Sequence, residues 1–224
     1  MKPREQAVQQ LFSRIARYYD VLNTVISFGL HGRWRRAAVR MLAPQPGWRC
    51  LDLCAGTGDF AIAVQRLGAS PVAVDMTPEM LQVARRRTSG ELPAVVADGF
   101  ALPFPDESFD CATLGFALRH SREDLVLFLR ELRRVIKPGG RVISLELSHP
   151  PNRLWRFLSG LYIRLFLPII GGLYDRAAYR YLSESLDGFP DAPGLARVFI
   201  DAGFSRCEYR LLAGGNAALH LAIA

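Results

Sequence analysis

The sequence predicts an α/β fold: a doubly wound, seven-stranded, mostly parallel sheet with a C-terminal antiparallel hairpin, preceded by N-terminal helices and interrupted by an apolar helical insert. Three observations predict it. Short apolar runs alternate with stretches of helical periodicity between Arg49 and Leu147, the pattern of a parallel sheet wrapped by helices. A glycine turn, Gly56-Thr57-Gly58, joins the first run to a helix. Near the end, the runs 206–212 and 216–223 flank Gly214–Gly215 at a spacing that suits a hairpin.

Residues 8–42 carry apolar side chains at helical spacing, with breaks expected near Phe28–Gly29 and at Gly32, and the prolines of 43–47 punctuate the chain. Arg49–Cys54 reads as a buried strand, followed by a helix ending near Gly68. Pro71–Val74 forms the second strand and closes on Asp75. Thr77 suits an N-cap, with Pro78 at the first helical position, for a helix through Arg87. Pro93–Ala97 and Phe109–Gly115 are the third and fourth strands. Between Glu123 and Ile136, Leu125, Phe128, Leu129, Leu132 and Ile136 share one helical face, and Pro138-Gly139-Gly140 is expected to stop that helix. Arg141–Leu147 is the fifth strand, and after the insert Pro193–Ala202 is a helix closed by Gly203.

The chain has 224 residues, half of them apolar, enough for one well-buried domain. Its formal net charge is +7, carried almost wholly by arginine, since Lys2 and Lys137 are the only lysines. Such charge fits solubility, nucleic acid or an anionic lipid surface. Cys50, Cys54, Cys111 and Cys207 form no C-x-x-C pair, so neither a disulfide framework nor zinc is expected. No histidine, cysteine and acid cluster has metal-ligand spacing. Met1–Gln10 is polar and holds no apolar signal core, so a cytoplasmic location is expected.

The first strand, the glycine turn and Asp75 define a candidate cofactor site beyond the strand ends, at the switch point of the sheet. Asp75 is placed to accept hydrogen bonds from the hydroxyls of a ribose. Gly56-x-Gly58-x-x-Ala61 also fits a dinucleotide fingerprint, so a nicotinamide-dependent oxidoreductase is a competing reading. Three features favour an adenosyl sulfonium, S-adenosyl-L-methionine. Asp52 puts a carboxylate before the turn, welcome to a phosphate-free cation and repulsive to a pyrophosphate. Asp98 follows the third strand, placed to accept from an adenine amino group. The closing hairpin is the edge arrangement of class I methyltransferases.

Longer motifs carry a closer resemblance. They are Tyr19-Asp20-x-x-Asn23-x-x-x-Ser27-x-Gly29-x-His31-x-x-Trp34-Arg35, Leu102-Pro103-Phe104-Pro105-Asp106, Arg134-Val135-Ile136-Lys137-Pro138-Gly139-Gly140 with Leu145-Glu146-Leu147-Ser148-x-Pro150, Tyr181-Leu182-x-Glu184-Ser185, and Gly214-Gly215-x-Ala217-x-x-His220. Together they resemble the ubiquinone/menaquinone biosynthesis C-methyltransferases over about residues 12–224. The resemblance implies a single Rossmann-like methyltransferase domain over 1–224, with a helical lid in 1–43 and a helical insert in 150–188 over the acceptor site. It implies S-adenosyl-L-methionine as cofactor, with contacts at Thr57, Asp75, Asp98 and Gly99, beside Asp52, Gly56 and Gly58 from the turn itself. The acceptor it implies is a prenylated quinol, a demethylated naphthoquinol first and a methoxy-benzoquinol second. Where the family reads Ser-Phe-Gly-Leu-Arg-Asn this chain has Gly115-Phe116-Ala117-Leu118-Arg119-His120, which leaves another small aromatic or lipid acceptor open.

Methylating a ring carbon requires an electron-rich ring, and a phenol-like hydroxyl with a pKa of roughly 10 needs help to ionise. His120 has the intrinsic pKa of a base, Arg119 is suited to stabilising a phenolate, and Tyr19 to orienting a hydroxyl. Residues 154–174 are strongly apolar, but Arg156, Arg164, Pro168 and Gly171–Gly172 interrupt them too much for a membrane span. They are expected to roof the acceptor site and to meet lipid at the inner face of the membrane, with a packed lid or a homodimer interface as alternatives. Nucleic acid is not expected as a partner, because the aromatic-and-basic platform and base-amine motifs it needs are missing.

Overall fold

A computed structural model describes residues 9, 10, 12–16, 19–121, 124–174 and 188–224. The Tyr181–Ser185 motif lies outside the described residues. Two helices, α1 (Tyr19–Ile26) and α2 (Leu30–Leu42), lead into the sheet. Then follow β1 (Arg49–Leu53), α3 (Asp59–Gln65), β2 (Ser70–Asp75), α4 (Pro78–Arg87), β3 (Ala94–Val96) and β4 (Phe109–Gly115). A 3₁₀ turn at Leu118–Ser121 precedes α5 (Leu125–Val135), β5 (Ile136–Leu147), α6 (Arg153–Tyr174), α7 (Ala192–Asp201), β6 (Arg206–Leu212) and β7 (Ala217–Ile223).

The seven strands are ordered β3-β2-β1-β4-β5-β7-β6. Every pair from β3 to β5 is parallel, and β7 runs antiparallel to both β5 and β6. The order reverses between β1 and β4, which makes the crevice beyond their carboxyl ends the natural ligand position. Each strand's alternation feeds two cores. On one face Leu51, Leu53, Ala112, Leu114 and Val142 pack with Phe128, Leu129 and Leu132 of α5 and Leu195 and Phe199 of α7. On the other, Cys50, Cys111, Ile143 and Leu145 meet Ala38, Val39 and Leu42 of α2 and Phe60 and Val64 of α3. Burying one Leu or Phe side chain is worth about 1.5–3 kcal/mol, so the five buried residues of α5 make it a principal anchor of its face.

The predicted architecture is present, with local differences that have physical causes. Gly32 lies inside α2 rather than breaking it, and the break sits at Phe28–Gly29, both left-handed. Pro138-Gly139-Gly140 does not follow a helix end directly. Ile136 already pairs with Phe109, and the Gly139 N–H and Gly140 carbonyl bond to Ala224, so β5 starts earlier and absorbs a bulge. Thr77 stands at the N-cap of α4 without a side-chain capping bond, whereas Asp191 caps α7 by accepting from the Gly194 N–H at 2.9 Å. His220 sits within β7, 1% exposed, with its Nε2 2.9 Å from the Ala192 carbonyl. Trp34 packs with the α2 and α3 core and not over the crevice.

Asp52 requires a correction of larger consequence. It points under the sheet, 1% exposed, toward α3. One oxygen accepts the Ala61 N–H at 2.8 Å and the other the Thr113 hydroxyl at 2.8 Å, tying β1 to α3 and β4. With both oxygens engaged inside the protein, it offers nothing to a ligand in the crevice. Burial pushes its carboxyl up to about 7, against the two hydrogen bonds that favour the anion. A pKa raised in the folded state above its unfolded value means that the folded chain binds more protons in between. The contribution of Asp52 is therefore fully present below about pH 4 and is lost as pH rises toward 7. Asp52→Asn keeps one acceptor for Ala61 and turns its amide toward the Thr113 oxygen. Chemical unfolding from pH 4 to 7 is expected to show the wild-type midpoint declining relative to that of Asp52→Asn. A constant difference across that range would sink this account.

Candidate functional site

The cleft lies beyond the carboxyl ends of β1, β2 and β4 and encloses about 1070 Å³, its open mouth included. Its floor is the β1–α3 loop, where Cys54, Gly56 and Gly58 all adopt left-handed conformations. Gly58 admits no side chain, because a Cβ there would stand 2.9 Å from that of Ala84. Asp75 at the end of β2 holds the loop from beside it. One oxygen accepts the Gly56 N–H at 2.8 Å and the other the Thr77 N–H at 2.8 Å. Burial raises its pKa, while those N–H groups pull it back. The Asp75 carboxylate itself lines the cleft. Asp98, after β3, also lines it, with one oxygen accepting the Phe100 N–H at 3.0 Å.

The cleft also carries aromatic side chains. Tyr19 of α1 and His120 of the 3₁₀ turn both line it, and the Phe12 ring meets each edge to face, at centroid distances of 5.8 and 5.2 Å. Burial pushes the Tyr19 hydroxyl upward, and the charge of Arg119 is the leading influence drawing it down. Phe116, Ser121 and Asp124 also line the cleft.

Of the residues expected from sequence, Gly56, Asp75, Asp98, Gly99, Tyr19 and His120 converge on the cleft. Asp52, Thr57, Gly58 and Arg119 are not among its lining. Thr57 is 2% exposed, and its hydroxyl donates to Asp20 of α1 at 2.7 Å. Arg87 binds the same Asp20 at 3.2 Å, the Thr57 carbonyl at 2.9 Å and Asp59 at 2.7 Å, and Arg35 pairs with Asp59 as well. Polar contacts thus join the N-terminal helices to the glycine loop. Arg119 is 6% exposed and lies behind the wall, its guanidinium carbon 6.0 Å from the Phe116 ring centre.

Gly115 explains one departure from the family pattern. A Cβ at that position would meet the Phe60 ring at 2.8 Å, so with phenylalanine at 60 the strand end accepts only glycine.

Asp20 and Glu146 escaped the sequence reading as site residues. A signal existed for both. Asp20 sits in the Tyr19–Asn23 motif, and Glu146 is a lone acid within the apolar strand Arg141–Leu147, where an unpaired charge is rare without a purpose. Among the described residues of the insert, none lines the cleft. No described helix is long and apolar enough to cross a membrane.

Among the described residues the cleft lining holds three aspartates, Asp75, Asp98 and Asp124, and no lysine or arginine. A pyrophosphate would meet like charge there without a cationic partner, whereas a cation meets complementary charge.

Comparison with known proteins agrees in direction. The sequence model of the ubiE/COQ5 methyltransferase family matches residues 1–224. Proteins named demethylmenaquinone methyltransferase from Staphylococcus aureus strains JH9 and Newman are 36% identical over 227 residues, covering 98% of this chain and 94% of theirs. Among solved structures, a SAM-dependent methyltransferase from Thermotoga maritima superposes with a TM-score of 0.70 at 20% identity, over 96% of this chain and 98% of that one. Phosphoethanolamine N-methyltransferase 2 of Haemonchus contortus, solved with S-adenosyl-L-methionine, gives 0.64 at 17% identity over 84% of this chain and 51% of its own. At such identities these two structures establish the shared fold.

Proposed function

Because the chain belongs to the ubiE/COQ5 methyltransferase family, we propose that it methylates a ring carbon of a prenylated quinol, demethylmenaquinol first and a 2-methoxy-6-polyprenyl-benzoquinol second. The chain is an S-adenosyl-L-methionine-dependent methyltransferase. The observation that carries the acceptor reading is that one cleft brings Asp75 and Asp98 together with the aromatic side chains of Phe12, Tyr19, Phe116 and His120.

The residues present fit the cofactor. Asp75 has acceptor positions left for ribose hydroxyls, Asp98 stands at the next strand end for the adenine amino group, and Gly56 and Gly99 expose backbone along the wall. When bound, S-adenosyl-L-methionine supplies an electrophilic methyl group on a positively charged sulfur. The acidic lining suits that charge. The chain's own task is to bring an ionised ring beside it. His120 takes the proton of a ring hydroxyl, Tyr19 orients that oxygen by hydrogen bonding, and the phenolate pair flows to the neighbouring carbon, which forms the new bond. Loss of that carbon's hydrogen as a proton restores the aromatic ring. Holding both reactants in line accounts for much of the acceleration, since effective molarities reach about 10⁵–10⁸ M. In this reading residues 1–43 act as the lid. The lining by Phe12 and Tyr19 and the Asp20–Thr57 hydrogen bond support it.

A polyprenyl tail is insoluble in water, so the acceptor must be met at a lipid surface. Helix α6 exposes Leu154, Phe157, Leu158, Leu161 and Leu165, from 42 to 67% each, and Phe28 lies beside Tyr162 with ring centres 5.4 Å apart. Arg153 and Arg156 flank this stripe, in a chain of net charge +7. These features support peripheral contact of α6 with anionic lipid.

Methyl transfer from labelled cofactor to each candidate quinol tests the activity. Demethylmenaquinol is expected to accept label, and His120→Ala to slow turnover by about 10²–10⁴-fold. Label on none of the quinols overturns the acceptor assignment, and full turnover in His120→Ala overturns the role of His120. Flotation with vesicles tests the stripe. Binding to anionic vesicles is expected, weakened by Phe157→Glu. No binding, together with a dimer in sedimentation that Phe157→Glu dissociates, would assign the stripe to a second copy of the chain.

A further inference from the structure

Strand β5 carries Ser144 and Glu146 on one face by alternation, Ser148 follows its end, and all three hold buried oxygens without a hydrogen-bond partner. Glu146 is the charged member, 1% exposed. Its Oε1 accepts two main-chain N–H groups, from Ala117 at 2.8 Å and Leu118 at 2.9 Å. Those N–H groups open the 3₁₀ turn that carries Arg119 and His120. Its Oε2 is buried with no hydrogen-bond partner. Arg119 is the converse, a buried guanidinium whose Nε and Nη1 donors are unused.

Burial pushes the Glu146 carboxyl up to about 7, and Arg119 is the strongest influence in the opposite direction. The charge of Arg119 also reaches the Tyr19 hydroxyl across the wall. Removing an acid and a guanidinium from water without a direct ion pair is costly, and an apolar pair would pack at lower cost. Such an arrangement persists where the charges are used.

We propose that Glu146 is a positioning residue for methyl transfer: by gripping the Ala117 and Leu118 N–H groups that open the turn carrying Arg119, it places positive charge near the acceptor's ring oxygen. The inference rests on the quinol reading above. Glu146 does not line the cleft, so it acts through Arg119 and the turn. Its two main-chain bonds fix the start of the turn that carries Arg119, whose guanidinium stands 6.0 Å from the ring centre of Phe116 in the cleft wall with two donors unused. Orientation is sensitive, since a shift of about 1 Å at a reacting group costs about 10²-fold in rate.

Glu146→Gln is the test, because Gln retains an oxygen for the two N–H groups and removes the charge. The expected result is a kcat lowered about 10²-fold, with KM for S-adenosyl-L-methionine and thermal midpoint unchanged. In an Arg119→Lys background the same substitution is expected to cost less than about threefold, because the two residues act as one unit. Glu146→Asp, which keeps the charge on a shorter arm, is expected to recover part of the loss and guards against a misfolded Gln variant. Wild-type kcat in Glu146→Gln overturns the proposal. So does a loss that follows the thermal midpoint, or one that multiplies independently with Arg119→Lys. A wild-type enzyme that methylates no quinol instead overturns the acceptor reading, and the proposal falls with it.

Discussion

At the carboxyl ends of β1, β2, β5 and just after β3, a carboxylate accepts main-chain N–H groups from a neighbouring loop or helix. Asp52 takes Ala61, Asp75 takes Gly56 and Thr77, Asp98 takes Phe100, and Glu146 takes Ala117 and Leu118. The loops around the cleft have no regular ladder to satisfy their N–H groups, and a buried unsatisfied one costs about 1–3 kcal/mol. Acids on the rigid sheet solve that problem and at the same time fix where each loop runs. The left-handed turn at Cys54–Gly58 and the 3₁₀ turn at Leu118–Ser121 are both held in this way.

The device leaves a functional residue. A carboxylate oxygen that accepts one N–H still has room for another donor. Where the acid borders the cleft, as at Asp75 and Asp98, that spare capacity is open to a ligand. Where it is sealed beneath the loop, as at Asp52, it goes to Thr113 and the group becomes scaffold. Glu146 lies between these cases, sealed from the cleft but with an oxygen still unengaged. Burial raises Asp52 and Glu146 to about 7, so both sit close to neutrality and respond to modest changes around them.

The doubly wound parallel sheet, the closing hairpin and the cleft positions of Tyr19, Gly56, Asp75, Asp98, Gly99 and His120 were legible because they follow from chain-local signals: apolar alternation, glycine at a turn, an acid at a strand end, a motif beside it. Asp52 and Thr57 were misplaced for one reason. Motif membership locates a residue along the chain, and only tertiary packing decides whether its side chain faces the ligand or the adjoining helix. Arg119 follows the same logic, since a 3₁₀ turn rotates consecutive residues by roughly a third of a circle and puts His120 in the cleft and Arg119 behind it. The early start of β5 was hidden because Pro138-Gly139-Gly140 reads as a stop, while its pairing with Phe109 and Ala224 is non-local.

The charge distribution separates two questions that the composition leaves merged. A formal net charge of +7 invites the thought of an anionic substrate, yet the described cleft lining contains aspartates and no lysine or arginine. The excess positive charge therefore lies outside the described lining, and Arg35 and Arg87 are balanced by Asp59 and Asp20. Arg119 is the exception, brought close behind the wall but balanced by Glu146. A site so built meets a cation with aspartates, while the charge of Arg119 reaches the Tyr19 hydroxyl on its aromatic wall. That polarity matches a reaction in which a positive methyl donor loses its charge as a phenolate spends its own.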